Sequence, residues 1–129
     1  MVVLDTSILI HYLHGNKKVV GIVDEYLSNE KVSITCVNEY ELLKGSGTAD
    51  AQLLNEFIAT FDVYWMNRRS LDFSSEIYKK LKGRGRMIDD ADILIAGMTF
   101  ANGETLLTAD KDFGQIESRQ IKLISINAT

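Results

Sequence analysis

Residues 87–100 have the sequence MIDDADILIAGMTF, which places three aspartates directly before a run of apolar side chains. The apolar run from Ile93 to Phe100 predicts a buried helix. Carboxylates in the first helical turn are favoured by the helix dipole, and Asp89 is a candidate N-cap. Asp92 lies one turn further in, beside residues that should enter the core, where an unpaired carboxylate is costly to desolvate. We therefore expect a cation or hydrogen-bond donors to face Asp92.

Three other acidic residues follow apolar segments in a similar way. Asp5 ends the segment MVVLD, Asp110 follows a predicted strand near the C-terminus, and Glu41 lies about one helical turn after a predicted strand. Parallel strands joined by helices end at the same edge of their sheet, and this edge is where ligands bind. We expect these three acids to meet Asp92 there, around a divalent metal.

Helical and strand patterns alternate along the whole chain. Strands are predicted at residues 1–4, 31–36, 62–66, 105–108 and 122–126, and helices at residues 6–13, 19–27, 39–44, 51–61, 70–82 and 87–100. Residues 45–50 have the composition of a loop. The alternation predicts an α/β fold with right-handed crossovers and a central, mainly parallel sheet. The order of the strands does not follow from the sequence.

The composition is typical of a folded globular domain. With 129 residues, 46% of them hydrophobic and 25% charged, the chain is expected to form a single domain over residues 1–129. No apolar segment approaches the length of a membrane span, and the N-terminus shows no pattern of a secretory signal. A single cysteine, Cys36, excludes an internal disulfide and favours a reducing compartment such as the cytoplasm.

The net charge of −4 argues against an electrostatic interaction of the whole surface with nucleic acid. However, five of the 14 basic residues lie within residues 79–86, a segment that contains no acid. We call these five the basic segment: Lys79, Lys80, Lys82, Arg84 and Arg86. They would either complement the dipole at a solvated helix end or bind the backbone of an RNA.

Each candidate acid also has an ordinary structural explanation. Asp5 would cap the helix that follows it, and Asp89 and Asp90 are typical capping or solvated residues. Glu41 competes with its neighbour Glu39, and Asp110 competes with Asp112. A set of carboxylates without histidine or cysteine suits a hard cation such as Mg²⁺ or Mn²⁺. Such a cation would relieve the repulsion between the acids.

Four segments of the chain together resemble the PIN domain family, in particular its VapC-type toxins. They are LDTSILI (4–10), ELLKG (41–45), DADILIAGM (90–98) and LLTADKDF (106–113), and they occur in the family's order. The resemblance implies a three-layer α/β/α fold and a Mg²⁺- or Mn²⁺-dependent endoribonuclease that hydrolyses RNA phosphodiester bonds. It also implies a toxin that forms a homodimer and is blocked by a small cognate antitoxin.

The resemblance further implies roles for individual residues. It assigns the family's four catalytic and metal-binding acids to Asp5, Glu41, Asp92 and Asp110. Glu41 is preferred to Glu39 because it precedes Leu-Leu-X-Gly, as the family's glutamate does. The fourth position varies among members, so Asp112 stays open beside Asp110, and Asp90 is a further candidate acid without a firm counterpart. The hydroxyls of Thr6, Ser7 and Thr108 resemble family residues that support the carboxylates.

Other functions are open at this point. A PIN module that binds RNA or a protein partner without catalysis would keep the same fold, and a PIN nuclease of RNA processing or decay would carry the same acids. A phosphatase with Asp5 as its nucleophile fits less well. Ser7 stands where the common aspartate-phosphatase motif has an acid.

Overall fold

A computed structural model describes residues 1–45 and 51–126 of the chain. At its centre lies a five-stranded, entirely parallel sheet with the strand order β3-β2-β1-β4-β5. The strands are β1 (Val2–Leu4), β2 (Val32–Thr35), β3 (Asp62–Tyr64), β4 (Thr105–Thr108) and β5 (Ile121–Leu123). Helices cover both faces, which confirms the predicted three-layer α/β/α fold.

Six α-helices and one short 3-10 helix connect the strands within the described residues. They are α1 (Thr6–Leu13), α2 (Lys17–Asn29), α3 (Cys36–Gly45), α4 (Ala51–Ile58), α5 (Arg68–Gly83) and α6 (Asp90–Ala101), with the 3-10 helix at Lys111–Gln115. Of the predicted loop, Gly45 is the last residue of α3, and residues 46–50 lie outside the described residues. None of the described helices is long and apolar enough to span a membrane.

Several boundaries differ from the predicted ones because side chains cap the helices. The sequence predicts a strand through Cys36, but the side chain of Asn38 accepts the backbone N–H of Thr35 at 2.8 Å, and α3 already begins at Cys36. Asn67 and Ser70 form a capping box, so α5 begins at Arg68 rather than at residue 70. The ends of α4, β3 and β5 fall short of the predicted ranges by two or three residues.

The central strands β1, β2 and β4 are buried on both faces, as expected for a parallel sheet between helices, whereas the edge strands β3 and β5 are partly exposed. On one face, Leu4 and Ile34 pack in a cluster with residues of α1 and α2. On the other face, Val3 and Leu106 pack with residues of α6 and α5, among them Ile95. The alternation along β1 therefore places successive side chains in two separate cores.

Helix α6 sets the position of Asp92. Six of the nine residues of α6 after Asp92 are buried, and a short turn joins the helix to the amino end of β4. The N-terminus of α6 must therefore lie at the opposite edge of the sheet, where the strands end. Asp5 and Asp110 follow β1 and β4 at that same edge.

Candidate active site

Asp5 lies at the carboxyl end of β1 with only 2% of its surface exposed. Its Oδ2 accepts hydrogen bonds from the hydroxyls of Ser7 (2.8 Å) and Thr108 (2.9 Å), and from the backbone N–H of Ser7 (3.4 Å). Its Oδ1 is buried and has no hydrogen-bond partner among the described residues. Burial raises the pKa of Asp5 above its usual value, although the hydrogen bonds to Oδ2 oppose this shift. Asp5 thus caps α1, as one of its two explanations predicted, and also keeps an unsatisfied oxygen.

Glu41 is half-buried and lies in the second turn of α3. The hydroxyl of Thr6 donates a hydrogen bond of 2.7 Å to its Oε1. Because Thr6 directly follows Asp5, this bond draws Glu41 towards the carboxyl end of β1.

Asp92 is the third residue of α6 and is half-buried. Burial raises its pKa to about 7, and the nearby charges of Asp5, Asp110, Glu41 and Asp89 add to the shift. Each of the other three predicted acids is therefore close enough to repel an ionised Asp92. Asp89 stands at the N-cap position as predicted, but its side chain makes no capping hydrogen bond.

Asp110 and Asp112 lie after β4, at the start of the 3-10 helix. Asp110 is half-buried and accepts the backbone N–H of Asp112 at 2.9 Å, whereas Asp112 is exposed. One carboxylate oxygen from each of Asp92, Asp110 and Asp112 lies within 4.8 Å of the others. These three carboxylates would be able to hold one divalent cation between them. Asp90 is exposed and does not belong to this group, and neither do Asp5 and Glu41.

The three predicted supporting hydroxyls link the strand ends to the acids. Ser7 donates to Asp5, and its oxygen accepts the backbone N–H of Ala109 at 3.0 Å. Thr108 donates to Asp5 and accepts the N–H of Asp110 at 3.0 Å. These bonds fix the end of β1 against the end of β4.

The residues of this site fit a hard divalent cation. All of the candidate ligands are carboxylate oxygens, the kind that Mg²⁺ and Mn²⁺ prefer. The unpartnered Oδ1 of Asp5 and the raised pKa of Asp92 both mark charges that a cation would stabilise.

The basic segment is exposed throughout, at the end of α5 and in the loop that follows. Arg84 is partly occupied within the protein, because Nη1 pairs with Glu117 at 3.2 Å and Nη2 donates to the carbonyl of Gln115 at 3.5 Å. The ammonium of Lys82 lies 5.9 Å from the ring of Tyr78. Arg84 and Lys82 thus contact other residues of the protein, although all five side chains of the basic segment are exposed to solvent.

Asn38 is a residue of this region that the sequence did not single out. It is fully buried in α3, and its Nδ2 donates to the hydroxyl of Thr6 at 2.9 Å. The available signal was its spacing, since a polar residue one helical turn before Glu41 lies on the same face of α3.

Comparisons with known proteins agree with the fold. The curated protein Ribonuclease VapC1 of Methanocaldococcus jannaschii is 32% identical over 111 residues, which cover 85% of this chain and 76% of the relative. Among solved structures, VapBC2 of Rickettsia felis bound to a promoter DNA fragment superposes with a TM-score of 0.85 at 19% identity, covering 97% of this chain and 100% of that chain. VapBC-1 of nontypeable Haemophilus influenzae gives a TM-score of 0.82 at 23% identity, covering 95% and 98%.

The structural likenesses show a shared fold, and the sequence match defines the family. The sequence model of the PIN domain matches residues 2–118, which include every acid described above. The resemblance inferred from the four sequence segments is thereby confirmed, and the chain belongs to the PIN domain family.

Proposed function

We propose that this protein is a divalent-metal-dependent endoribonuclease that hydrolyses RNA phosphodiester bonds. The observation that carries the proposal is the buried, unpartnered Oδ1 of Asp5 at the edge where the charges of Asp5, Glu41 and Asp110 act on Asp92. The name of the M. jannaschii relative, a ribonuclease, supports the same activity.

In this proposal, Asp5, Glu41, Asp92 and Asp110 hold Mg²⁺ or Mn²⁺, and Asp112 is the alternative to Asp110. The bound metal would supply a Lewis acid and lower the pKa of a bound water. Ser7 and Thr108 hold Oδ2 of Asp5 so that Oδ1 is the oxygen offered to the metal. Thr6 orients Glu41 in the same way.

The basic segment would hold the RNA backbone beside these acids. It ends only three residues before Asp89, the N-cap of α6, the helix that carries Asp92. Gly85 has a positive φ of 68°, which lets the loop turn sharply between Arg84 and Arg86. Single-stranded or looped RNA is the expected target, because its bases and backbone are accessible to such a loop.

We also propose that the protein is the toxin of a VapBC-type toxin–antitoxin pair in the cytoplasm, with a cognate antitoxin and a second copy of itself as partners. The similar solved structures from R. felis and H. influenzae are those of VapBC2 and VapBC-1. Exposed apolar side chains, among them Leu53 at 69% and Trp65 at 68%, provide contact surface for such partners.

The direct test is a cleavage assay on structured and unstructured RNAs, with Mg²⁺ or Mn²⁺ and with EDTA. We expect cleavage that requires the metal and is lost in Asp5→Asn, which keeps the shape of the side chain but removes its charge. Asp72→Asn is the matched control, because Asp72 is exposed on α5 and pairs with Arg68 on the same helix. RNA binding without cleavage under all metal conditions would instead identify a non-catalytic binding module.

A further inference from the structure

Asn38 fixes the direction of a chain of hydrogen bonds that ends at Glu41. Its Oδ1 accepts hydrogen bonds from the backbone N–H and from the hydroxyl of Thr35, each at 2.8 Å. A backbone N–H can only donate, so the side-chain atom that faces it must be the amide oxygen. The orientation of the Asn38 amide is therefore determined, and its nitrogen must face Thr6.

The remaining steps follow from the donor and acceptor capacity of each group. Nδ2 of Asn38 can only donate, and it donates to the hydroxyl oxygen of Thr6 at 2.9 Å. The single hydroxyl proton of Thr6 is then available for Oε1 of Glu41 at 2.7 Å, a typical distance for an O–H···O bond. Every bond from Thr35 to Glu41 thus points towards the carboxylate.

We propose that Asn38 is a positioning residue of the metal centre. By directing the hydroxyl of Thr6 towards Glu41, it holds this carboxylate as an acceptor at Oε1 and leaves Oε2 as the oxygen for the cation. The inference rests on the proposed metal-dependent function, because it concerns how Glu41 is prepared for a metal. Full burial of Asn38 protects the chain of bonds from competition with water.

Two substitutions break this chain of bonds with little change in shape. Asn38→Asp keeps the acceptor for Thr35 but cannot donate to Thr6, so the Thr6 hydroxyl turns to the new carboxylate and away from Glu41. Thr6→Val removes the hydroxyl at nearly constant volume, and Thr6→Ser restores it. Because Thr6 is only half-buried, its variants should fold even if the charge in Asn38→Asp prevents folding. The Thr6 variants then test the proposal on their own.

The experiment measures Mn²⁺ affinity by calorimetry on the full chain without RNA. We expect about 10-fold weaker binding in Asn38→Asp and Thr6→Val, as is common when a residue that supports a metal ligand is lost. Thr6→Ser should bind close to the wild type. Equal affinity in all four proteins would overturn the proposal. If the wild type binds Mn²⁺ but does not cleave RNA, the proposed nuclease activity is wrong. The comparison of Mn²⁺ affinities among the variants still tests the role of Asn38 in that case.

A second measurement does not depend on metal. In NMR spectra of the metal-free protein, a side-chain amide proton of Asn38 should show the downfield shift of a hydrogen-bonded donor. This shift should be lost in Thr6→Val and retained in Thr6→Ser. Spectra of Asn38 that are identical in the wild type and Thr6→Val would contradict the proposed direction of the bonds.

Discussion

Ser7 and Thr108 are separated by 101 residues in the chain, yet their hydroxyl oxygens lie 3.4 Å apart. Both hydroxyls donate to the same oxygen, Oδ2 of Asp5. The carboxyl ends of β1 and β4 are thereby joined through one buried carboxylate, and the other oxygen of that carboxylate is left without a partner among the described residues. This arrangement costs stability in the metal-free protein and provides a ligand once a cation is bound.

Asp92 should make the metal-free protein less stable as the pH rises. Its pKa is about 7 in the folded protein against 3.8 for the unperturbed group, so the folded state binds the proton more tightly between these values. The free energy of unfolding should therefore fall from about pH 4 to about pH 7, and the burial of Asp5 acts in the same direction. We expect Asp92→Asn to be more stable than the wild type at pH 7.5 by roughly 1 kcal/mol, after allowance for solvent screening.

Urea unfolding of the EDTA-treated proteins at pH 4.5, 6.0 and 7.5 measures this difference. The advantage of Asp92→Asn should shrink towards pH 4.5, and saturating Mn²⁺ should reverse it at pH 7.5. A difference that is constant across the three pH values would show that the charge of Asp92 is not the cause.

Substitution of Asp110 should lower RNA cleavage more than substitution of Asp112. Both contribute an oxygen to the group around Asp92, but Asp110 is half-buried and shifts the pKa of Asp92, whereas Asp112 is exposed. We expect Asp110→Asn to lower RNA cleavage at least about 100-fold and Asp112→Asn to lower it less than about 10-fold. The reverse ranking in cleavage rates at saturating Mn²⁺ would make Asp112 the fourth ligand.

Helix α6 shows most clearly which features of the site could be predicted from the sequence. Three acids before an apolar run predict the helix, and the cost of burying a carboxylate beside apolar residues singles out Asp92. The predicted depth was wrong, because α6 begins at Asp90 and Asp92 lies in its first turn. Asp5 and Asp110 closely follow apolar strands, so their common edge could also be predicted from the rule for parallel sheets. These features are local, and local patterns are what a single sequence preserves.

Features that depend on the tertiary fold did not follow from the sequence. Glu104 follows the turn at Asn102-Gly103, where exposure is expected, yet it is 2% exposed. It lies close to Tyr64, whose pKa is raised by burial and by the Glu104 carboxylate. The role of Asn38 likewise depends on the contact between α1 and α3 at the end of the sheet. The strand order depends on crossovers, which the sequence does not encode locally.

Gly97 should tolerate no side chain. A Cβ at this position would lie 1.9 Å from the hydroxyl of Ser74 and 2.9 Å from the carbonyl of Ser70, because α5 and α6 pack closely there. We expect Gly97→Ala to destabilise the protein by roughly 1–3 kcal/mol. Gly21→Ala in α2 is the control, since nothing lies within 4 Å of its Cβ, and it should stabilise by roughly 0.5–1 kcal/mol. Equal urea midpoints for the two variants would contradict the close packing.

Charge reversal in the basic segment should change the salt dependence of RNA binding more at Arg86 than at Arg84. Arg84 already pairs with Glu117, so Arg86 has more of its charge available for a phosphate. We expect Arg86→Glu to weaken RNA binding and to reduce the slope of log affinity against log salt by about 1. Arg84→Glu should change the slope less, and Lys17→Glu, at the start of α2, should leave it unchanged. A slope that Arg86→Glu does not alter would assign the basic segment to a solvated helix end.

Anomalous diffraction from crystals of the wild-type protein soaked in Mn²⁺ tests most directly whether the carboxylates converge on one metal ion. We expect a peak within bonding distance of Oδ1 of Asp5 and of the carboxylate of Asp92, and the loss of this peak in Asp5→Asn. No peak at saturating Mn²⁺, or a peak away from Asp5, would contradict this expectation.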